Sequence, residues 1–124
     1  MANEIKINLS ISATKNGAKF ERQESFTDDM TGDAWVSGVQ QVGSSSEDII
    51  THEDLGTYGW VYLKNCGTNA SLYVDFGHST VIADDTLCRL YGGESCIIKT
   101  AGLTALHAIS SSGTQAVEYA IVEL

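Results

Sequence analysis

Three histidines offer the widest chemistry in this chain: His52 in Thr51-His52-Glu53-Asp54, His78 after Gly77, and His107 in an apolar run. A barrel-type metal centre needs imidazoles and a carboxylate converging from strands, usually with two histidines closely spaced. Here the spacings are 26 and 29 residues, with no His-x-His pair, so no metal centre is expected. His107 is expected to share a strand face with Leu103, Ala105 and Ile109 as a partly buried sheet residue, and His52 and His78 are expected in solvated loops. Asp28, Asp29 and Asp33 surround Gly32 but lack the alternating aspartates and terminal glutamate of a calcium loop. Asp84-Asp85 read as carboxylates capping loop amides. Serines cluster in Ser44-Ser45-Ser46 and Ser110-Ser111-Ser112, with no Gly-x-Ser-x-Gly elbow. Gly92-Gly93 lies between two strands, with no helix N-terminus to hold a phosphate. Neither catalysis nor a cofactor is expected.

Cys66, Cys88 and Cys96 show no Cys-x-x-Cys spacing, which argues against structural zinc. They are expected as free, partly buried thiols acting as small hydrophobes. A two-residue hairpin turn at Gly92-Gly93 would set Cys88 opposite Ile97 and Cys96 opposite Arg89. Only a three-residue loop would bring the two sulfurs face to face.

The aromatics are the better lead. Trp35, Tyr58, Trp60, Tyr62 and Tyr73 suit either a sugar-stacking platform or a core plus a subunit interface. Trp60 and Tyr62 lie on one face of a strand whose other face carries Val61 and Leu63. A strand apolar on both sides is buried on both, inside a sandwich or by a partner. The interface candidates are therefore Trp35, Tyr58, Trp60 and Tyr62, joined by Phe20 and Phe26 of the N-terminal segment.

The elements that must position these residues are strands. Ile5, Ile7, Leu9 and Ile11 alternate with polar residues, and Asn16-Gly17 then signals a type I′ hairpin. The return strand, residues 18–27, puts Phe20, Arg22, Glu24 and Phe26 on one face, which suggests an exposed ribbon that docks on a neighbour. Strands are also expected from Trp35 to Val42 and from Glu47 to His52. From Leu55 to Leu124 short strands and turns follow one another with no helical period: 59–65, 71–76, 86–90, 95–99, 103–109 and 115–124. Nine or ten strands at this spacing predict an antiparallel all-β sandwich or barrel, and the count favours two packed sheets. The 124 residues are expected to form one domain around that strand series, with the hairpin as a partner-contacting arm.

Sixteen acids against seven bases give a net charge of −9, which disfavours nucleic acid and anionic membrane as partners. No apolar stretch approaches the ~18 residues of a spanning helix. Met1-Ala2-Asn3-Glu4 lacks the basic and apolar regions of a secretory signal, so synthesis and folding in the cytoplasm are expected.

Gly59-Trp60-Val61-Tyr62-Leu63-Lys64-Asn65, then Leu72-Tyr73-Val74-Asp75-Phe76-Gly77, then the Leu90-Tyr91-Gly92-Gly93-Glu94 turn before Cys96-Ile97-Ile98, follow a familiar order. With the closing segments Leu106 to Ile109 and Val117 to Leu124, that order resembles small jelly-roll-like β-sandwich virion proteins of tailed bacteriophages. The resemblance covers about 70 residues. Its loop from Gly77 to Asp85 is long, and the proline often found near the Gly-Glu turn is missing. The resemblance implies a non-enzymatic capsid decoration (cement) protein on the virion surface. It would be homo-oligomeric, commonly a homotrimer, with the major capsid protein or another virion protein as partner. A head–tail or tail component is the alternative within that group, and a carbohydrate-binding module is the alternative outside it.

Overall fold

The structure is a computed structural model that describes residues 4–30, 34–45, 47–48, 55–78 and 86–123. His52, Asp33, Gly32, Asp84, Asp85, Ser46 and the end of the segment from Glu47 to His52 lie outside these residues. The described residues form ten strands and no helix: β1 (Ile5–Lys15), β2 (Ala18–Asp28), β3 (Trp35–Val42), β4 (Glu47–Asp48), β5 (Tyr58–Asn65), β6 (Tyr73–Gly77), β7 (Thr86–Tyr91), β8 (Ser95–Leu103), β9 (His107–Ser110) and β10 (Gln115–Glu123). They fall into two compact units, residues 1–31 and 32–124.

The first unit is the β1–β2 hairpin. Asn16 (φ 52°) and Gly17 (φ 81°) take the positive dihedrals that a type I′ turn demands, and the register runs unbroken from Lys15 opposite Ala18 to Ile5 opposite Asp28.

In the second unit, eight strands form two antiparallel four-stranded sheets, β3-β10-β5-β8 and β4-β9-β6-β7. The pairing is nested: β3 with β10, β4 with β9, β5 with β8, and β6 with β7. Further pairings of β10 with β5 and of β9 with β6 complete each sheet. Strict alternation then builds the core. Val61 and Leu63 of β5, Val117 and Ile121 of β10, and Val42 of β3 join Val74 and Phe76 of β6, Leu90 of β7 and Ala108 of β9 in one buried cluster. Both sheets thus share one apolar interior, a sandwich-like arrangement. The strand series from Leu55 onward supplies six of these strands, and β3 and β4 supply the other two.

The turn after β7 crosses from one sheet to the other instead of closing a hairpin. Its closing bond runs from the Glu94 amide to the Tyr91 carbonyl (2.9 Å), and the Glu94 carboxylate accepts the Tyr91 amide (2.8 Å). A side chain at Gly92 would meet the Asn69 carbonyl oxygen at 2.6 Å, so only glycine fits there. Asn65 ties this crossover to β5. Its amide donates to the Glu94 carbonyl (3.0 Å), its carbonyl accepts the Gly93 amide (2.8 Å), and its side chain donates to the Leu90 carbonyl (3.0 Å) while accepting the Gly67 amide (2.9 Å).

The crossover answers the hairpin question and corrects the reading of the segment 103–109. Neither a two-residue nor a three-residue hairpin forms here, because β7 and β8 belong to different sheets. Cys88 and Cys96 instead meet from opposite sheets as free thiols with sulfurs 3.7 Å apart, well beyond the ~2.05 Å of a disulfide. Hydrogen bonding between them, reinforced by burial, pushes the Cys88 thiol up, and the same bond lowers that of Cys96. The segment 103–109 is not one strand either. Leu103 ends β8 in the first sheet and His107 begins β9 in the second, so they share no strand face.

Asn65→Ala removes both side-chain bonds, the one to the Leu90 carbonyl and the one from the Gly67 amide, and leaves a void at a fully buried position. The expected loss is about 2–4 kcal/mol of unfolding free energy. It should appear as a lower urea midpoint with an unchanged slope, and a change under about 0.5 kcal/mol would show that the tie is dispensable.

Candidate interaction face

The pleat that fills the core turns the alternate residues of the first sheet outward. The registers arrange them in three rows across the strands. Trp35, Val122, Trp60 and Lys99 form one row, Ser37, Ala120, Tyr62 and Ile97 the next, and Val39, Glu118, Lys64 and Ser95 the third. Trp35 and Val39 are 68% and 62% exposed, Ile97 is exposed, and Trp60, Tyr62, Ala120 and Val122 are half-buried. Seven apolar or aromatic side chains therefore occupy one continuous sheet face, broken near one margin by the opposed charges of Glu118 and Lys64. Scattered exposed hydrophobes need no explanation, but a contiguous apolar field does.

Polar contacts fix the aromatics on this face. The Tyr62 hydroxyl donates to the Glu118 carboxylate (3.2 Å), and the Lys99 ammonium lies 5.5 Å from the centre of the Trp60 ring. Partial burial, then the Glu118 bond and charge, raise the Tyr62 phenol above its ordinary value of 10.0. A shallow depression of about 250 Å³ lined by Ser37, Val39, Tyr62, Glu118 and Ala120 lies on the face. It falls short of the ~300–1,000 Å³ typical of small-molecule pockets.

The face gathers three of the expected interface residues, Trp35, Trp60 and Tyr62. Tyr58 is the exception and corrects the expectation, being only 2% exposed within the core. In an unbroken strand it would share the face of Trp60. The register slips between Tyr58 and Trp60, and this irregularity turns the ring inward. Its carbonyl accepts the Thr100 hydroxyl. Phe20 and Phe26 are exposed on the hairpin, which is the other unit.

Sequence reasoning missed a cluster on the second sheet. Arg89 makes two bonds to the Asp75 carboxylate, Nε to Oδ1 at 2.7 Å and Nη2 to Oδ2 at 3.0 Å. Its guanidinium carbon lies 3.9 Å from the centre of the Tyr73 ring, which meets Tyr91 edge-on at 5.4 Å. The bond to Asp75 holds Arg89 more firmly protonated than usual. These four residues are two opposed pairs, Asp75–Arg89 and Tyr73–Tyr91, in the β6–β7 register. The signal was present in the two strands but needed their pairing to be read.

Of the histidines, His107 is buried in β9 and His78 is exposed after β6. Among the described residues, no three of His, Cys, Asp and Glu are grouped to hold a metal. No known protein-family model, curated protein or solved structure matches this chain.

The raised Tyr62 value carries a sign. The folded state favours the neutral phenol, so this contribution to stability is present below pH 10 and declines as the pH rises through the tyrosine range. In a spectrophotometric titration at alkaline pH, the difference between wild type and Tyr62→Phe should give a midpoint above 10.0. Glu118→Gln should lower it, and a midpoint unmoved by Glu118→Gln would remove that carboxylate from the explanation.

Proposed function

We propose that this chain is a structural protein of a tailed-bacteriophage virion: a capsid decoration protein that self-associates, as a trimer, and binds and stabilises the shell through the major capsid protein. The observation that carries the reading is the outer face of the first sheet, where Trp35, Val39 and Ile97 stand exposed around the half-buried Trp60 and Tyr62. A contiguous field of this kind marks a surface that a partner covers. The nested pairing of β3 through β10 is the winding expected of a jelly roll, which supports the finer reading of the sandwich and the resemblance drawn from the strand order. The charge of −9 keeps free subunits apart until specific contacts form. A head–tail or tail component would use the same face and differ only in what it docks on.

A second reading follows from the same row. Trp35 beside Val122 and Trp60 offers a flat ring for sugar stacking. The inward turn of Tyr58 and the Lys99 ammonium beside the Trp60 ring leave Trp35 as the main exposed platform, less than such modules usually present.

Light scattering and co-sedimentation separate these readings. The wild-type protein should scatter as a multiple of 13.3 kDa and pellet with shells assembled from a tailed-phage major capsid protein. Replacing Trp35 and Val39 together with serine should abolish pelleting and lower the mass, with the fold intact by circular dichroism. A wild-type protein that stays in the supernatant as a monomer, or that binds glycans through Trp35, would displace the proposal.

A further inference from the structure

The β1–β2 hairpin has two chemically opposite faces. One carries Lys6, Asn8, Ser10 and Thr27, with Ser25 donating to the Asn8 side chain (2.8 Å) and Lys19 paired with Glu21 (3.1 Å). The other carries Ile7, Leu9, Ile11 and Ala13 on β1 and Phe26, Glu24, Arg22 and Phe20 opposite them on β2. Leu9, Ile11, Phe20 and Phe26 on that face are exposed, whereas Ile7 near its open end is buried, 7% exposed. A two-stranded ribbon is marginal on its own, so the exposed stretch between Leu9 and Ile11 on β1 and Phe20 and Phe26 on β2 needs a cover.

The order of residues on the face says what fits. Along β2 it runs Phe20, Arg22, Glu24, Phe26, with the register pair Ser10–Gln23 at its centre. This pattern is complementary to its own reversal: each phenylalanine meets a phenylalanine, and each charge meets its opposite. We propose that the hairpin stacks on the same face of a second copy about a two-fold axis at the level of Ser10 and Gln23, so that Arg22 of each copy meets Glu24 of the other. The axis lies in the contact plane, across the strands. It sets β2 on β2 and β1 on β1 with directions reversed, so Phe20 covers Phe26 and Ile11 covers Leu9. An axis along the strands is rejected. It would lay Arg22 on Ile11 and Glu24 on Leu9, burying both charges against aliphatic carbon.

Stacked sheets sit about 10 Å apart, a gap that an arginine and a glutamate span together. The Arg22 guanidinium already lies 4.7 Å from the Phe20 ring centre on this face. Two reciprocal ion pairs at the centre, flanked by apolar contacts, are the form that an isologous interface takes. The ribbon face measures roughly 37 Å by 10 Å, about 740 Å² over both copies, so the contact lies below the ~1,200 Å² of standard interfaces and is weak and transient in isolation. The inference stands independently of the virion reading, since it concerns only copies of this chain.

Charge reversal tests it on the full-length protein by sedimentation at about 100 µM, where a contact this small is populated. Arg22→Glu or Glu24→Arg alone puts like charges together twice and should weaken pairing at least tenfold, halving the mass of the associated species. An equimolar mixture of the two variants restores both opposite-charge contacts and should recover the wild-type mass. Wild-type protein that never pairs, single variants that pair as wild type, or a mixture that remains at the mass of its components would each overturn the proposal. Recovery in the mixture also shows that neither variant had simply misfolded.

Discussion

The sandwich depends on how its two sheets are joined, and Asn65 is where that join is held. At the end of β5 it is fully buried, and every polar group it owns is used. Four hydrogen bonds reach Leu90, Gly67, Gly93 and Glu94. Three of these partners lie in or beside the crossover that carries the chain from β7 in the second sheet to β8 in the first. Once that crossover is fixed, β8 must lie beside β5 and β7 beside β6, and the inner faces close on Leu63, Val74, Phe76 and Leu90. The Gly92-Gly93-Glu94 segment then has a physical reason for its composition: a close backbone approach, a tight turn and a carboxylate that accepts the Tyr91 amide.

Much of this fold was legible in the chain because strand alternation is a local property. The hairpin could be read from the spacing of Ile5, Ile7, Leu9 and Ile11 and from Asn16-Gly17, whose positive φ values are a demand on those two residues alone. The two-faced character of β5 was equally plain. What sequence could not give was anything that depends on pairing at a distance. Gly92-Gly93 looks like a hairpin turn, and nothing local says that its flanking strands go to different sheets, so the meeting of Cys88 with Cys96 was hidden. The irregularity beside Gly59 that sends Tyr58 inward is likewise a property of β5 against its neighbours. The break between Leu103 and His107 falls in an apolar run that reads as one strand.

The candidate site divides in the same way. Trp35 and Trp60 could be named from sequence as interface candidates, but their alignment in one row exists only because β10 lies between β3 and β5, with Val122 opposite both. The Asp75–Arg89 bridge needed the β6–β7 register for the same reason. Residue type and parity say which side of a strand is apolar. Topology decides whether several such sides add up to a surface.

That surface gives the sandwich a core on one side of the first sheet and an apolar field on the other. The account requires the field to be covered when the protein works, and Trp35 reports on it directly. With Trp60→Phe, the remaining tryptophan emission comes from Trp35 alone, and acrylamide quenching measures its access to solvent. Strong quenching is expected in dilute protein, with a several-fold loss once the protein assembles with itself or with the capsid shell proposed as its partner. Quenching that stays equally strong at every concentration and in the presence of shells would mean that nothing covers this face, which would contradict the proposal.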